Sequence, residues 1–314
     1  VLLSGVVGIA MAYTGYGVWA LVGQQLTSII ALCIIMWFTV KWRPKLLFSV
    51  TRVKELFSFG WKLLASGLID TTYTNLSSLI IGKLYPASML GYYTKGQEFP
   101  SALVSNINSS IQAVMFPAYA KNQDNRPMVK QIMRRALVTS AFLVFPAMAG
   151  LAAVAEPLIK LLLTEKWLIA VPFLQIFCAV YALWPIHTVN LQAINALGRS
   201  DVFLRLEIMK KILGVSVLAV TVPIGVYAMA LGSVVTGVIS TLINTYPNKL
   251  LLNYSFTEQW RDLMPAFILS LVMCGAAYSV LFLGLSAWAT LVLQIAVGVV
   301  VYVGLAWVVG LESL

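Results

Sequence analysis

Apolar runs of about 20 residues alternate with short polar segments along the whole chain. A helix that crosses the hydrocarbon core of a bilayer needs about 20 mostly apolar residues, and charges or turn residues separate one crossing from the next. The pattern therefore predicts an all-α integral membrane protein with about ten transmembrane helices. The predicted spans lie near residues 1–13, 17–39, 58–82, 97–118, 136–155, 169–196, 208–223, 226–246, 264–283 and 286–310.

Basic residues mark every second connection between these spans. Of the 21 Lys and Arg residues, 17 fall in or beside the connections after the second, fourth, sixth and eighth spans. Cytoplasmic connections carry the excess of Lys and Arg, so both ends of the chain are expected to face the cytoplasm. The net charge of +10 then follows from topology and from contact with anionic lipids, and no nucleic-acid partner is expected.

Composition agrees with this class of protein. Hydrophobic residues make up 60% of the chain, charged residues 10%, and the mean hydropathy is +0.90, far from the values of soluble domains. The chain opens on an apolar run without an initiator methionine, which favours a fragment or a chain whose beginning is missing. The three cysteines are scattered in separate apolar runs and match neither a disulfide framework nor a metal site.

An internal repeat suggests how the helices are grouped. The stretches GVWA at 17–20 and GVYA at 225–228 each open a span after a tight turn, and they are 208 residues apart. Six helices fit in that offset, and an even number preserves the orientation in the membrane. We therefore expect 1–57 to hold the last two helices of a first six-helix half with a cytoplasmic connection, 58–262 to be a complete second half, and 263–314 to add two helices. About 150 residues with four helices are expected to precede Val1.

Polar residues gather on one face of three helices in the second half. At 100° per residue, Trp184, Thr188, Gln192, Asn195 and Arg199 fall within about 80° of one another, with His187 and Asn190 beside them. Ser66, Asp70, Tyr73 and Ser77 form a similar face on the third span, and Gln97, Ser101, Ser105, Asn108 and Gln112 form one on the fourth. Such faces predict either a shared interior cavity or interhelical hydrogen bonds.

Asp70 stands out among these residues because it is predicted to lie near mid-membrane. A carboxylate there costs several kcal/mol unless it faces water or a partner, which favours a functional role. His187 is more typical of a packed, hydrogen-bonded residue. Pro185, directly before the polar face, is expected to kink its helix.

Catalytic machinery is not evident. The chain has no phosphate-binding lysine loop, no HExxH and no GxSxG, and the connections are too short to hold a soluble catalytic domain. We therefore expect a transporter and not an enzyme, with no cofactor and no metal.

Several longer stretches resemble a known family. GYGVWALVGQQL at 15–26, KWRPKLLFSVTRVKELFSFG at 41–60 and NLSSLIIGKLYPASMLGYYTKGQEFP at 75–100 are similar to the bacterial Wzx-type oligosaccharide flippases. These flippases form the polysaccharide transporter branch of the superfamily that includes the multidrug and toxin extrusion (MATE) transporters. The resemblance covers most of residues 1–262.

This resemblance implies a MATE-like bundle in the bacterial cytoplasmic membrane that flips polyprenyl-diphosphate-linked oligosaccharide units. The product would be exopolysaccharide, capsule, O-antigen or teichuronic acid, and the partners would be the lipid-linked oligosaccharide, membrane lipids and polysaccharide polymerase or assembly proteins. Many relatives have Asp two residues after the Asn of the NLSSLIIGK motif, where this chain has Ser77, so Asp70 and Glu98 become the ion-coupling candidates. The substrate-binding candidates are Lys62, Asp70, Asn75, Lys83, Lys95, Asn108, Gln112, Trp184, Gln192, Asn195, Arg199 and Arg205.

Other functions remain open at this stage. A cation-coupled multidrug antiporter of the same fold predicts an acidic and aromatic cavity, against which Lys62, Lys83 and Lys95 argue. A polymerase or ligase would be expected to hold catalytic Arg and His residues in a large outer loop, and a non-transporting component of polysaccharide assembly is a further alternative.

Overall fold

A computed structural model describes residues 2–40, 71–122 and 125–310, together with Val50, Lys54 and Leu68. Every regular element in these residues is helical. The helices are α1 (Leu2–Tyr13), α2 (Trp19–Thr39), α3 (71–84), α4 (Ala87–Lys121), α5 (Arg126–Ala153), α6 (Ala155–Leu163), α7 (Val171–Ala182), α8 (Trp184–Ala196), α9 (Ser200–Thr221), α10 (Val226–Leu252), α11 (Phe256–Ser279) and α12 (Ala287–Val309), with short 3-10 helices at Glu165–Ala170 and Val280–Leu283.

The predicted all-helical membrane fold is confirmed. Each predicted span overlaps a helix wherever the structure describes it, and six helical segments of the described chain are long and apolar enough to cross a membrane. They are Trp19–Thr39, Arg126–Ala153, Glu165–Ala196, Val226–Leu252, Phe256–Leu283 and Ala287–Val309. The full number of crossings stays a prediction, because α1 is short and the long helices α4 and α9 hold no stretch that is both long and apolar enough.

The predicted span at 169–196 is broken. The 3-10 helix, α7 and α8 follow one another, with a proline in the first turn of α7 and of α8. Proline is accepted at a helix start because the backbone N–H that it lacks would have no partner there. Pro185 thus lies directly after the junction between α7 and α8, and the kink expected there stays a prediction.

The chain divides into two compact units, residues 1–67 and 68–314. In the first unit, α1 and α2 form a helical hairpin whose turn contains Gly15 at φ 87° and Gly17 at φ 53°, values that favour glycine. In the second unit, one apolar core joins α4, α5, α7 and α10, and a second joins α5, α8 and α11. The predicted boundaries between the two halves and the added helices stay a prediction.

Helices α4 and α7 approach each other closely at Gly96. A Cβ atom at this position would lie 2.6 Å from the Phe173 Cβ and 2.9 Å from the Leu174 backbone nitrogen. Glycine is thus required for this contact, because the backbone of α7 fills the space that a methyl group would need.

A cluster of buried amides joins α8, α10 and α11. Asn190 and Gln259 pair side by side: the Asn190 Nδ2 donates to the Gln259 Oε1 at 2.9 Å, and the Gln259 Nε2 donates to the Asn190 Oδ1 at 3.1 Å. The Asn248 Nδ2 donates to the same Asn190 Oδ1 at 2.8 Å. All three side chains are buried, so each relies on the others for hydrogen bonds.

The last two helices pack directly on α5. Lys130 and Arg134 of α5 form ion pairs with Glu258 at 3.0 Å and Asp262 at 2.7 Å in α11. Further along α5, the Tyr302 hydroxyl of α12 donates to the Phe142 carbonyl at 2.9 Å. These helices are therefore part of the second unit's packing and are not loosely attached to it.

The close contact at Gly96 yields a first prediction. Gly96→Ala is expected to lower the free energy of unfolding by about 1–3 kcal/mol, because the added methyl group must push α4 away from α7. Gly150→Ala is the matched control, since its Cβ would meet only the Met273 Cε at an ordinary 3.7 Å. Thermal unfolding of the purified protein in detergent measures both, and equal stability of the two variants would contradict this account.

The amide cluster yields a second prediction. Asn190→Leu removes the side-chain partner of the buried Gln259 and Asn248 amides, which is expected to cost about 1–3 kcal/mol. Gln259→Leu is expected to cost a similar amount, and the double variant less than the sum. The coupling energy between Asn190 and Gln259 from this double-mutant cycle should be about 0.6–1.7 kcal/mol. Strictly additive losses would show that the two side chains do not stabilise the protein through their mutual hydrogen bonds.

Candidate functional site

A cavity of about 470 Å³ lies within the second unit, between α3, α8, α9 and α10, with Val180 of α7 at its edge. Its lining mixes apolar side chains with hydroxyl, amino and carboxylate groups. A mostly apolar cavity with a few polar groups is the usual form of a ligand site.

The wall formed by α9 carries the charge of the cavity. Glu207, Lys210 and Lys211 lie on one face of this helix and all line the cavity. The Lys210 ammonium is 2.6 Å from the Glu207 carboxylate, and their side chains are 17% and 28% exposed. The Lys211 ammonium lies 5.8 Å from the centre of the Tyr73 ring on α3. Two ammonium groups and one carboxylate therefore lie on this wall.

Glycines allow the helices around the cavity to approach. A Cβ at Gly214 of α9 would lie 1.9 Å from the Tyr73 hydroxyl oxygen, which occupies the space beside that glycine. The same hydroxyl reaches the Lys210 backbone carbonyl at 3.5 Å. A Cβ at Gly232 of α10 would lie 2.9 Å from a Val217 methyl carbon. Small residues at helix interfaces are how membrane helices come close.

The wall formed by α8 combines an aromatic ring with polar groups. Trp184 is 38% exposed, and its ring centre is 4.8 Å from that of Tyr181 in α7. His187 and Thr188 follow on the same wall, and the Asn244 Nδ2 donates to the His187 Nδ1 at 3.0 Å. The His187 ring is thereby oriented by α10.

The wall formed by α10 supplies hydroxyl groups from Ser233, Thr236 and Ser240. The Thr236 hydroxyl donates to the Gly232 carbonyl at 2.9 Å, and the Ser233 hydroxyl donates to the Met229 carbonyl at 3.2 Å. Each oxygen keeps lone pairs that can accept a hydrogen bond from a ligand. The cavity can therefore bind a ligand that carries negative charge and hydroxyl groups.

The structure places one predicted binding residue in this cavity, Trp184. Two others pair with each other, since the Gln192 Nε2 donates to the Gln112 Oε1 at 2.9 Å and ties α8 to α4. Asn195 is half-buried on α8. Asn108 is buried on α4, and its side-chain oxygen has no hydrogen-bond partner among the described residues.

The remaining candidates lie elsewhere. The Lys95 ammonium is 2.6 Å from the Glu98 carboxylate on α4, and the Arg199 guanidinium is 2.9 Å from the Asp201 carboxylate. The Asn75 side chain donates to the Thr71 carbonyl of its own helix at 2.8 Å. Lys83 and Arg205 are exposed, and Lys62 and Asp70 lie outside the described residues. The binding and ion-coupling roles of all these residues stay predictions.

The α9 residues Glu207, Lys210 and Lys211 are functional candidates that sequence reasoning missed. It counted both lysines with the basic residues of a cytoplasmic connection, although they fall in the first turn of the predicted span at 208–223. In the structure α9 begins earlier, at Ser200. Helical spacing from Ser200 onward would have put these residues on one face with Gly214. Metal chemistry was not expected, and the described residues hold no group of three or more His, Cys, Asp and Glu side chains that could bind a metal ion.

Comparison with known proteins places this architecture in a family. The family model for polysaccharide biosynthesis protein matches residues 1–172. The lipopolysaccharide biosynthesis protein WzxC of Escherichia coli (strain K12) is 28% identical over 263 residues, which cover 83% of this chain and 54% of WzxC. The teichuronic acid biosynthesis protein TuaB of Bacillus subtilis (strain 168) is 26% identical over 250 residues, covering 79% of this chain and 52% of TuaB.

A solved structure shows the fold. The lipid II flippase MurJ in its inward closed conformation matches with a TM-score of 0.78 at 17% identity, over 97% of this chain and 65% of MurJ. The chain spans about half the length of the curated relatives it matches. It is a multi-pass helical membrane protein with a MurJ-like fold, and it belongs to the polysaccharide biosynthesis protein family.

Proposed function

We propose that this chain forms the cargo-binding part of a flippase that moves polyprenyl-diphosphate-linked oligosaccharide across the bacterial cytoplasmic membrane. The observation that carries the proposal is the cavity inside the second unit, where Lys210 and Lys211 face hydroxyl groups and an indole ring. The similar proteins support it, because WzxC is a lipopolysaccharide biosynthesis protein, TuaB is a teichuronic acid biosynthesis protein and MurJ is a lipid II flippase.

The chemistry of such a cargo fits the cavity. A diphosphate and several sugar hydroxyls cannot cross the hydrocarbon core without a polar path, because burying a charge without a partner costs several kcal/mol. Ammonium groups bind phosphate oxygens through charge-assisted hydrogen bonds. The hydroxyl groups of Ser233, Thr236 and Ser240 can accept hydrogen bonds from sugar hydroxyls.

The proposal also covers the type of activity, the orientation in the membrane, ion coupling and partners. The cargo is moved and not chemically changed, so the protein acts as a transporter and not as an enzyme. Both ends of this chain face the cytoplasm, as the alternation of basic residues predicts. Coupling to an ion through Asp70 or Glu98 and contact with polysaccharide polymerase or assembly proteins are parts of the same proposal.

A third prediction tests the charged wall of the cavity. Lys211→Gln is expected to weaken binding of undecaprenyl diphosphate by about tenfold to a hundredfold, because a charge-assisted hydrogen bond contributes about 1.5–3 kcal/mol. The double variant Glu207→Gln/Lys210→Gln removes the neighbouring ion pair without leaving a lone charge, and should weaken binding as well. Binding is measured on the purified protein in detergent, and transport is measured on proteoliposomes.

Lys249→Gln is the matched control. This lysine is exposed in the last turn of α10 and lies away from the cavity lining. Its replacement should leave both binding and transport unchanged. Proteoliposomes that extrude cationic dyes but do not move lipid-linked glycan would overturn the flippase proposal in favour of a multidrug antiporter.

A further inference from the structure

A row of aromatic rings leads from the apolar core of the second unit to the cavity. The ring centres of Tyr93 and Phe177 are 5.0 Å apart, those of Phe177 and Tyr181 are 6.4 Å apart, and those of Tyr181 and Trp184 are 4.8 Å apart. The first three side chains are buried, whereas the fourth lines the cavity. The row therefore ends in one indole that is open to a ligand.

The backbone and the neighbouring helices hold this indole in place. Trp184 is the first residue of α8, directly after the junction with α7, and Pro185 restricts the backbone next to it. The Tyr181 ring behind it is itself fixed, because the Gln97 Nε2 of α4 donates to the Tyr181 hydroxyl at 3.0 Å. A ring that is already ordered loses little conformational entropy when a ligand packs on it.

The groups around the indole narrow the choice of ligand. Thr188 lies one helical turn further along the same face of α8, and Ser240 lies on the wall formed by α10. An aromatic face attracts C–H groups, because its π-electrons carry partial negative charge, and nearby hydroxyl oxygens accept hydrogen bonds. A pyranose ring presents both groups, with C–H bonds on its flat face and hydroxyl groups around its rim.

Two other occupants fit less well. A cationic ligand could also sit on an indole face, but Lys210 and Lys211 line the same cavity and repel it. A polyprenyl chain has no hydrogen-bonding groups to match the hydroxyl-bearing walls and is equally well accommodated by lipid. The combination of an ordered indole, hydroxyl groups and two ammonium groups fits a sugar ring next to a phosphate group.

We propose that Trp184 is the stacking platform for a pyranose ring of the transported glycan. This inference rests on the proposed function and adds a specificity element to it. The lysines bind the diphosphate that every lipid-linked cargo carries, whereas Trp184 contacts only a cargo that carries sugar. The indole thus distinguishes a loaded carrier lipid from an empty one.

The test compares two probes on the purified protein. One is the undecaprenyl-diphosphate-linked repeat unit extracted from producing cells in which export is blocked, and the other is undecaprenyl diphosphate without sugar. Trp184→Leu is expected to weaken binding of the glycosylated probe by about tenfold and to leave binding of the sugar-free probe unchanged. Trp184→Phe keeps an aromatic face and should stay within about threefold of the unmodified protein for both probes.

Controls separate stacking from a general loss of structure. Trp307→Leu removes an exposed indole on α12 and should change neither affinity. If Trp184→Leu does not fold, Trp184→Met offers an apolar side chain without a ring and is expected to show the same selective loss. Two results would overturn the stacking role of Trp184: an equal loss of affinity for both probes in Trp184→Leu, or a Trp184→Phe variant that binds the glycosylated probe as weakly as Trp184→Leu does.

Failure of the proposed function would look different. In that case the unmodified protein would bind neither probe, and Lys211→Gln would have no effect on either one. If the unmodified protein binds both probes and Trp184→Leu does not change the ratio of the two affinities, only the role of the indole is contradicted.

Discussion

The arrangement of the second unit depends on the pairing of buried amides between α8, α10 and α11. In a bilayer, apolar side chains provide little drive for one helix to choose another, because lipid is as apolar as they are. A buried amide, in contrast, needs a partner at a defined distance and angle. Asn190 accepts hydrogen bonds from Gln259 and Asn248 and donates one to Gln259, and these contacts fix the rotation of α8 about its own axis. That rotation turns Trp184, His187 and Thr188 toward the cavity.

The helices could be predicted from the sequence, because their signal is local. Length and hydropathy of a segment decide whether it can cross the bilayer, and each predicted span overlaps a helix wherever the structure describes it, although the number of crossings stays a prediction. The resemblance to oligosaccharide flippases also agrees with the family and with the MurJ-like fold. What hydropathy could not give is the start of α9, whose first turns are too polar to count as a span.

The cavity was harder to predict, because helical periodicity gives the face of a residue but not its neighbour. Gln192 and Trp184 lie on the same predicted face, yet Gln192 pairs with Gln112 while Trp184 lines the cavity. His187, which the periodicity placed beside the main face, also lines the cavity, where the Asn244 Nδ2 of α10 donates to its Nδ1. Whether a residue lines the cavity or pairs with another side chain depends on which helix packs opposite it, and that helix is distant in the sequence.

The contact between Tyr73 and Gly214 has a consequence for the size of the cargo. The Tyr73 hydroxyl fills the space that a side chain at position 214 would occupy, so this single contact sets how near α3 can come to α9. A larger residue at 214 or a smaller one at 73 would change the width of the cavity while leaving the ammonium groups on α9 in place. Under the proposed function, exchanges at this one pair of positions would let proteins of the same fold accept wider or narrower glycans without moving the lysines proposed to bind the phosphate.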